Sequence, residues 1–224
     1  KIAIAQFDKE EDMYDPEWWK NWYKEINKHR IYPERTPNDQ IEIGAPPLKT
    51  EHGWLLVYSM IENHFERGRN YQYVYGIEAV LLDLHDPTKI IGKSKGPFIT
   101  PLETYERAGA VNNVVFPTGV RIEGEKLQVF YGAADTTGCI AEVRLKDLVD
   151  SLYPPTSQPR RFSRVGNDPI IIPDQSHRWE NRAVFNPAAL ELDGKVHILY
   201  RAMGAENTSV VGSARTRQPS VPEP

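Results

Sequence analysis

The chain repeats itself. The stretch "NVVFPTGVRIEGEKLQVFYGAAD", from Asn113, and the stretch "AVFNPAALELDGKVHILYRAMG", from Ala183, superimpose without a gap: Val115 meets Val184, Phe116 meets Phe185, Lys126 meets Lys195, Tyr131 meets Tyr200 and Ala133 meets Ala202, every pair 69 residues apart. A third copy, "PPLKTEHGWLLVYSM", sets Tyr58 at the corresponding place, 73 residues before Tyr131. Self-similarity at a fixed period means that one supersecondary unit recurs in equivalent surroundings, which constrains the fold more than any single motif. Each copy reads as strand, Gly-containing turn, strand. A further alternating run follows each one: "YQYVYGIEAVLLDL", "GCIAEVRLKDL" and "TSVVGSAR".

Units of this length with several short strands predict an all-β chain of β-propeller blades, about three of them, in which small antiparallel sheets surround an axis. A β-sandwich of hairpins satisfies the strand pattern as well. The opening run from Lys1 to Gln6 looks like the later strand of a unit entered part-way. Asp15 to Lys28, with Trp18, Trp19 and Trp22, reads as a short amphipathic helix or surface insertion. The Pro-rich residues 153–162 read as a linker, so the expected organisation is blades over 1–152, a further blade over 163–216 and a tail over 217–224.

Composition removes several function classes. With 27 basic and 31 acidic residues among 224, nothing global draws the chain to nucleic acid or an anionic membrane, and neither is expected as a partner. One cysteine, Cys139, excludes an intrachain disulfide framework, and the six histidines make no pair with metal-site spacing. No P-loop, G-x-G-x-x-G or G-x-S-x-G occurs, so no cofactor and no metal is expected. Absence of a signal-like apolar segment, together with the single cysteine, gives the expectation of a cytoplasmic protein.

In a propeller, polar residues near the axis where inner strands end are the candidates for ligand binding. Asp135, Asn186 and Arg201 lead. Asp135 follows Gly132, Ala133 and Ala134, small residues that permit close approach to backbone, although a turn Asp accepting backbone N–H groups explains it equally. Asn186 precedes Pro187 and is expected in extended geometry, or as a turn former. Arg201 closes the apolar strand "VHILY", its guanidinium suited to phosphate, carboxylate or sugar hydroxyls, or to an ion pair with Asp193 or Glu180. Tyr58, Tyr131 and Tyr200 occupy alternating strand positions and are read as core rather than sugar platforms. The Trp cluster is read as a docking helix face rather than a lid.

The segments "GAPPLKTEHGWLLVYS", "AVLLDLHDPTKIIG", "YERAGAVNNVVFPTGV", "FYGAADTTGCIAEVRLKDL" and "NDPIIIPDQSHRWENRAVFNPAALELDGKVHILYRAMGAENTSVVGSA" resemble glycoside hydrolase family 130, the β-mannoside phosphorylases and β-1,2-mannosidases. The resemblance implies a five-bladed propeller and an inverting reaction on β-linked mannosides, with an aspartic acid as general acid and phosphate or water as nucleophile. It further implies that Asp135, Asn186 and Arg201 line sugar and phosphate subsites, that a mannoside or oligosaccharide is the substrate and that inorganic phosphate is a co-substrate. Two departures stand out. Family segments of C-terminal type precede one of N-terminal type, and the E-D-P-R-like segment that carries the acid has no match, which leaves the catalytic residue unassigned. A sugar-binding or structural propeller fragment is the alternative, partnered by a second copy or a complementary propeller segment.

Overall fold

The computed structural model describes residues 2–62, 64, 73–153, 163–206 and 208–216. The expected linker, apart from Tyr153, and the expected tail lie outside them. At the N-terminal end β1 (Ile2–Ala3) pairs antiparallel with β2 (Arg30–Ile31), and α1 (Pro16–Lys24) lies between them in sequence. The opening run therefore forms a two-residue ribbon rather than the long outer strand of a blade. Asp15 caps α1, accepting from the Glu17 N–H at 2.9 Å, and Pro16 occupies the first turn, where its missing N–H costs nothing. Its tryptophans pack on one another and on Phe7, with Phe7 and Trp18 ring centroids 4.4 Å apart. Trp22 also reaches the Ile4 carbonyl with its indole N–H at 3.3 Å. The helix docks its aromatic face, as its sequence suggests.

Three antiparallel sheets follow in chain order. The first holds β3 (Gln40–Glu42), β4 (Leu48–Thr50), β5 (Gly53–Ile61), β6 (Tyr75–Leu82) and β7 (Ile90–Lys93); β3 and β4 pair with opposite ends of β5 and act as one interrupted strand. After the short helix α2 (Thr104–Arg107) comes the second sheet, with β8 (Val115–Glu123), β9 (Lys126–Ala133), β10 (Thr137–Arg144) and, beyond α3 (Leu145–Leu152), β11 (Ser163–Arg164). The third consists of β12 (Ala183–Leu192), β13 (Lys195–Met203) and β14 (Ser209–Thr216). Each is an up-and-down meander of the kind that forms a propeller blade, and the chain is all-β of the propeller type.

The 69-residue repeat is explicit in the register. Phe116 pairs with Gly132 as Phe185 pairs with Arg201, and both strands carry a bulge in the same stretch, between Pro117 and Gly119 and between Phe185 and Ala188. The bulges meet: the Thr118 hydroxyl donates to the carbonyl of Pro187, its equivalent in the next sheet. Strand β9 is buried on both faces. Leu127, Val129 and Tyr131 join Leu55, Val57, Ile77 and Leu81 of the first sheet, whereas Phe130, with Ile140, packs on Val196 and Ile198 of the third. This explains its nearly continuous apolar run, since a strand with two packed neighbours has no solvent face. Strand β13 alternates instead, with Leu199 and Arg201 exposed between buried Ile198, Tyr200 and Ala202.

The recurring tyrosine carries more than packing. The Tyr58 hydroxyl donates to Glu78 at 3.3 Å, that of Tyr131 to Glu106 at 2.9 Å and that of Tyr200 to Glu180 at 2.8 Å. All three glutamates are buried. A cationic or protonatable group meets each one: Arg35 on Glu78 at 2.7 Å, Arg164 on Glu106 at 2.8 Å through Nε, and His177 Nδ1 on Glu180 at 2.6 Å. Burial works against the two guanidinium charges, but hydrogen bonds to their glutamates leave both raised above the usual arginine value. Buried carboxylates persist only with such partners.

Candidate functional site

Strand β9 turns into β10 through residues 134–136, and Ala134 and Asp135 both adopt left-handed backbone, with φ of 47° and 50°. For alanine that geometry costs about 1–2 kcal/mol, so surrounding contacts must hold it. They do: the Ala134 N–H donates to Val114 O at 2.9 Å, the Val111 N–H donates to Ala134 O at 3.1 Å, and the Ala110 N–H donates to the Thr136 hydroxyl at 2.9 Å. Gly109 permits this closeness, because a Cβ there would stand 2.4 Å from Ala134 O. The segment before β8 is thereby laced across the turn, and Asp135 is presented half-buried beside it.

Asp135 shares a cavity of about 230 Å³ with Glu42, Tyr75, Val111, Val114, Phe116 and Asn186. The walls come from all three sheets: β3 and β6 of the first, β8 and its approach with the 134–136 turn of the second, and the bulge of β12 in the third. Asn186 departs from its expected extended geometry. Its φ is 52°, because the bulge after Phe185 needs a residue that tolerates left-handed backbone, and Asn does so better than most. It stands over Gly132, where a Cβ would come within 3.4 Å of its Oδ1. Among the described residues no group donates a hydrogen bond to the Asp135 carboxylate, whose pKa is raised by burial, lowered in part by Arg201 and raised again by Glu42.

Arg201 is placed differently from the other two. Its guanidinium lies 4.8 Å over the Phe185 ring, and Nε donates to the Ser209 hydroxyl at 2.8 Å. Neither Asp193 nor Glu180 is its partner among the described residues: Asp193 forms the β12–β13 turn with φ 53°, and Glu180 is engaged by Tyr200 and His177. The structure therefore brings Asp135 and Asn186 into one cavity and sets Arg201 outside its lining, felt by Asp135 as a charge. Glu42, Tyr75, Phe116 and Val111 escaped sequence reasoning. Glu42 and Tyr75 sit in ordinary alternating strand runs, which do not reveal that the two strands converge on a turn some 60 to 90 residues away.

The cavity offers two carboxylates, an amide, a phenol and an aromatic face, the equipment of a site for a hydroxyl-bearing ring. Residues 15–154 match the family described as beta-1,4-mannooligosaccharide phosphorylase. The chain belongs to glycoside hydrolase family 130. The family 130 match takes in the first sheet, strands β8 to β10 of the second and Asp135, while β11, Asn186 and Arg201 lie beyond it. Similar curated relatives include a 1,2-beta-oligomannan phosphorylase of Thermoanaerobacter sp. (strain X514), 36% identical over 58% of this chain and 41% of its own length. A beta-1,2-mannobiose phosphorylase of Listeria innocua is 35% identical over 54% of this chain and 32% of its own. A solved structure of the beta-1,2-mannobiose phosphorylase from Listeria innocua, in complex with beta-1,2-mannobiose, aligns with a TM-score of 0.44 at 34% identity over 50% of this chain and 30% of that one. The chain thus spans well under half the length of the family 130 relatives it matches.

Proposed function

We propose that the Asp135 cavity is a mannose-binding subsite of an inverting β-mannoside phosphorylase or hydrolase. The observation that carries this reading is a half-buried carboxylate without a described hydrogen-bond donor, facing an amide and an aromatic side chain across three blades, in a member of a family whose relatives are named for mannoside phosphorolysis. Asp135 accepts hydrogen bonds from two sugar hydroxyls. The Asn186 amide both donates and accepts, which fixes the orientation of the ring. Phe116 and Tyr75 present apolar surface to its C–H face. In the complete reaction an aspartic acid protonates the glycosidic oxygen while phosphate or water attacks the opposite face of the anomeric centre. The subsite's part is positioning: a hydrogen-bonded sugar holds the anomeric carbon in one place relative to both groups. Arg201, held by Ser209 and Phe185, tempers the negative potential at the rim.

The test is titration of the protein with mannose and with β-1,2-mannobiose, followed by NMR, alongside release of mannose 1-phosphate in the presence of inorganic phosphate. Saturable shifts at residues 134–136 and 186 that disappear in Asp135→Asn support the reading. Binding that Asp135→Asn leaves intact sinks it. Saturable binding without turnover assigns the chain a sugar-binding role.

A further inference from the structure

A carboxylate on a tight turn points where the backbone aims it, and the backbone of Asp135 is tied down by the residue that follows. The Thr136 hydroxyl accepts from the Ala110 N–H at 2.9 Å and donates to the Ala134 carbonyl at 3.0 Å. Its N–H donates to Ala133 O at 3.0 Å, and its own carbonyl accepts from the Val184 N–H at 3.1 Å. One residue thus joins the end of β9, the segment before β8 and the start of β12. Both outlying segments continue into the cavity wall, through Val111, next to Ala110, and Asn186, two residues beyond Val184. Thr136 is not in that lining, so whatever it does for a ligand passes through its neighbours.

The side chain suits this place. A hydroxyl accepts from one backbone group and donates to another at the same time, which valine, of nearly the same shape, cannot do. Ala134 O receives both the Thr136 hydroxyl and the Val111 N–H, at 3.0 and 3.1 Å, so the turn and the 109–111 segment converge on one atom. Consecutive left-handed residues, with φ of 47° at Ala134 and 50° at Asp135, persist only where such contacts hold them. The fit leaves no slack: a Cβ on Gly109 would stand 2.5 Å from the Thr136 Oγ1 and nearer still to Ala134 O. The Asp135 turn is therefore set relative to Val111 before any ligand arrives, and a group already in place loses less freedom on binding.

We propose that Thr136 is a positioning residue for the sugar site: its hydroxyl holds the Asp135 turn against the 109–111 segment, so that the carboxylate meets a mannose hydroxyl at one fixed place relative to Val111 and Asn186. The inference rests on the mannoside reading and adds to it the group that sets the place of the carboxylate.

The experiment compares wild type with Thr136→Val, which keeps shape and removes the hydroxyl, with Thr136→Ser, which retains the hydroxyl, and with Gly109→Ala, which forces the two segments apart while leaving Thr136 intact. Mannose is titrated well below each melting temperature, where a merely destabilised protein binds as wild type does, and the Asp135 carboxyl carbon is followed against pH by NMR. Expected are a Kd about tenfold higher in Thr136→Val and Gly109→Ala, and a near wild-type Kd in Thr136→Ser. In Thr136→Val the Asp135 titration midpoint should fall, because a loosened turn admits water to a carboxylate that burial holds high, while Glu42 and Arg201, the other charges it feels, are unaltered. Wild-type affinity in folded Thr136→Val or in Gly109→Ala overturns the proposal, as does a Thr136→Ser protein that binds as weakly as Thr136→Val. Should Thr136→Val not fold, Gly109→Ala carries the same test. Should no sugar bind any of the four proteins, the mannoside reading falls, and the midpoint judges Thr136 separately: a midpoint lowered in Thr136→Val and restored in Thr136→Ser retains it as the group that places Asp135, and an unmoved midpoint removes it.

Discussion

Asp135 combines three costs: left-handed backbone, partial burial and a neighbouring like charge. Burial raises its pKa in the folded chain, so folding favours the protonated form. The stability this gives is present below the unfolded carboxylate pKa and lost as pH rises through the folded value. At neutral pH the charge is therefore a burden, and Asp135→Asn should raise the melting temperature at pH 7, the gain disappearing as pH falls into the carboxylate range. The same variant should weaken mannose binding about ten- to a hundredfold, the range for hydrogen bonds to a charged group. Thermal melts at pH 7 and pH 3.5 beside a sugar titration check both halves, and a destabilised variant at pH 7 would contradict the electrostatic argument. Small neighbours and an N-P step single out Asp135 and Asn186 in the sequence, and the structure places both at one cavity, although the step points to extended rather than the observed left-handed backbone at Asn186. Glu42 was not singled out in this way, since its place at the cavity depends on what faces it from another sheet.

Each sheet has its own tyrosine–glutamate clasp, and the three copies differ in the group that completes it. Arg164 brings Glu106 a permanent charge from the strand on the far side of α3, and its removal leaves a fully buried carboxylate with hydrogen bonds from Tyr131 and the Leu102 and Glu103 N–H groups but without that countercharge. Arg164→Met is expected to cost about 3–5 kcal/mol, and Tyr131→Phe, which removes one of the bonds to the carboxylate, about 1–3 kcal/mol, both readable by urea denaturation. In the third sheet the completing group is His177, half-exposed, facing Glu180 and Asp174 and stacked on Trp179. Its pKa is raised, by the Glu180 hydrogen bond first and against burial, with Asp174 adding to the rise. The clasp it makes is complete below the unfolded histidine pKa and is lost as pH rises through the folded value. Wild type should therefore lose melting temperature between about pH 6 and 8 relative to His177→Gln, and parallel curves would refute the dependence. The recurring tyrosines were visible at their period. Their partners were not, because Glu78 follows its tyrosine by 20 residues whereas Glu106 and Glu180 precede theirs by 25 and 20.

Across the whole molecule the sheets are welded unequally. The first is covered on one face by the second sheet and on the other by Ile2 and Ile31. The third is attached through Phe130, Ile140, Val196 and Ile198, and its opposite face exposes Leu190, Leu199 and Val211, the last 77% accessible. Amide exchange should accordingly be slowest in β5, β6 and β9 and fastest in β14, and Phe130→Ala should cost about 3–5 kcal/mol while loosening the third sheet first. Uniform protection across the three sheets would show that they unfold as one unit. The repeat and its strand–turn–strand hairpins were readable along the chain, because hydrophobic period, turn residues and self-similarity are local or near-local properties, and the family was readable from the resemblance of its long segments. Which faces are covered, which carboxylates find a cation and which residues share the Asp135 cavity emerged with the packed fold, because those depend on side chains brought together from three sheets, and no spacing along one chain encodes the distance between them.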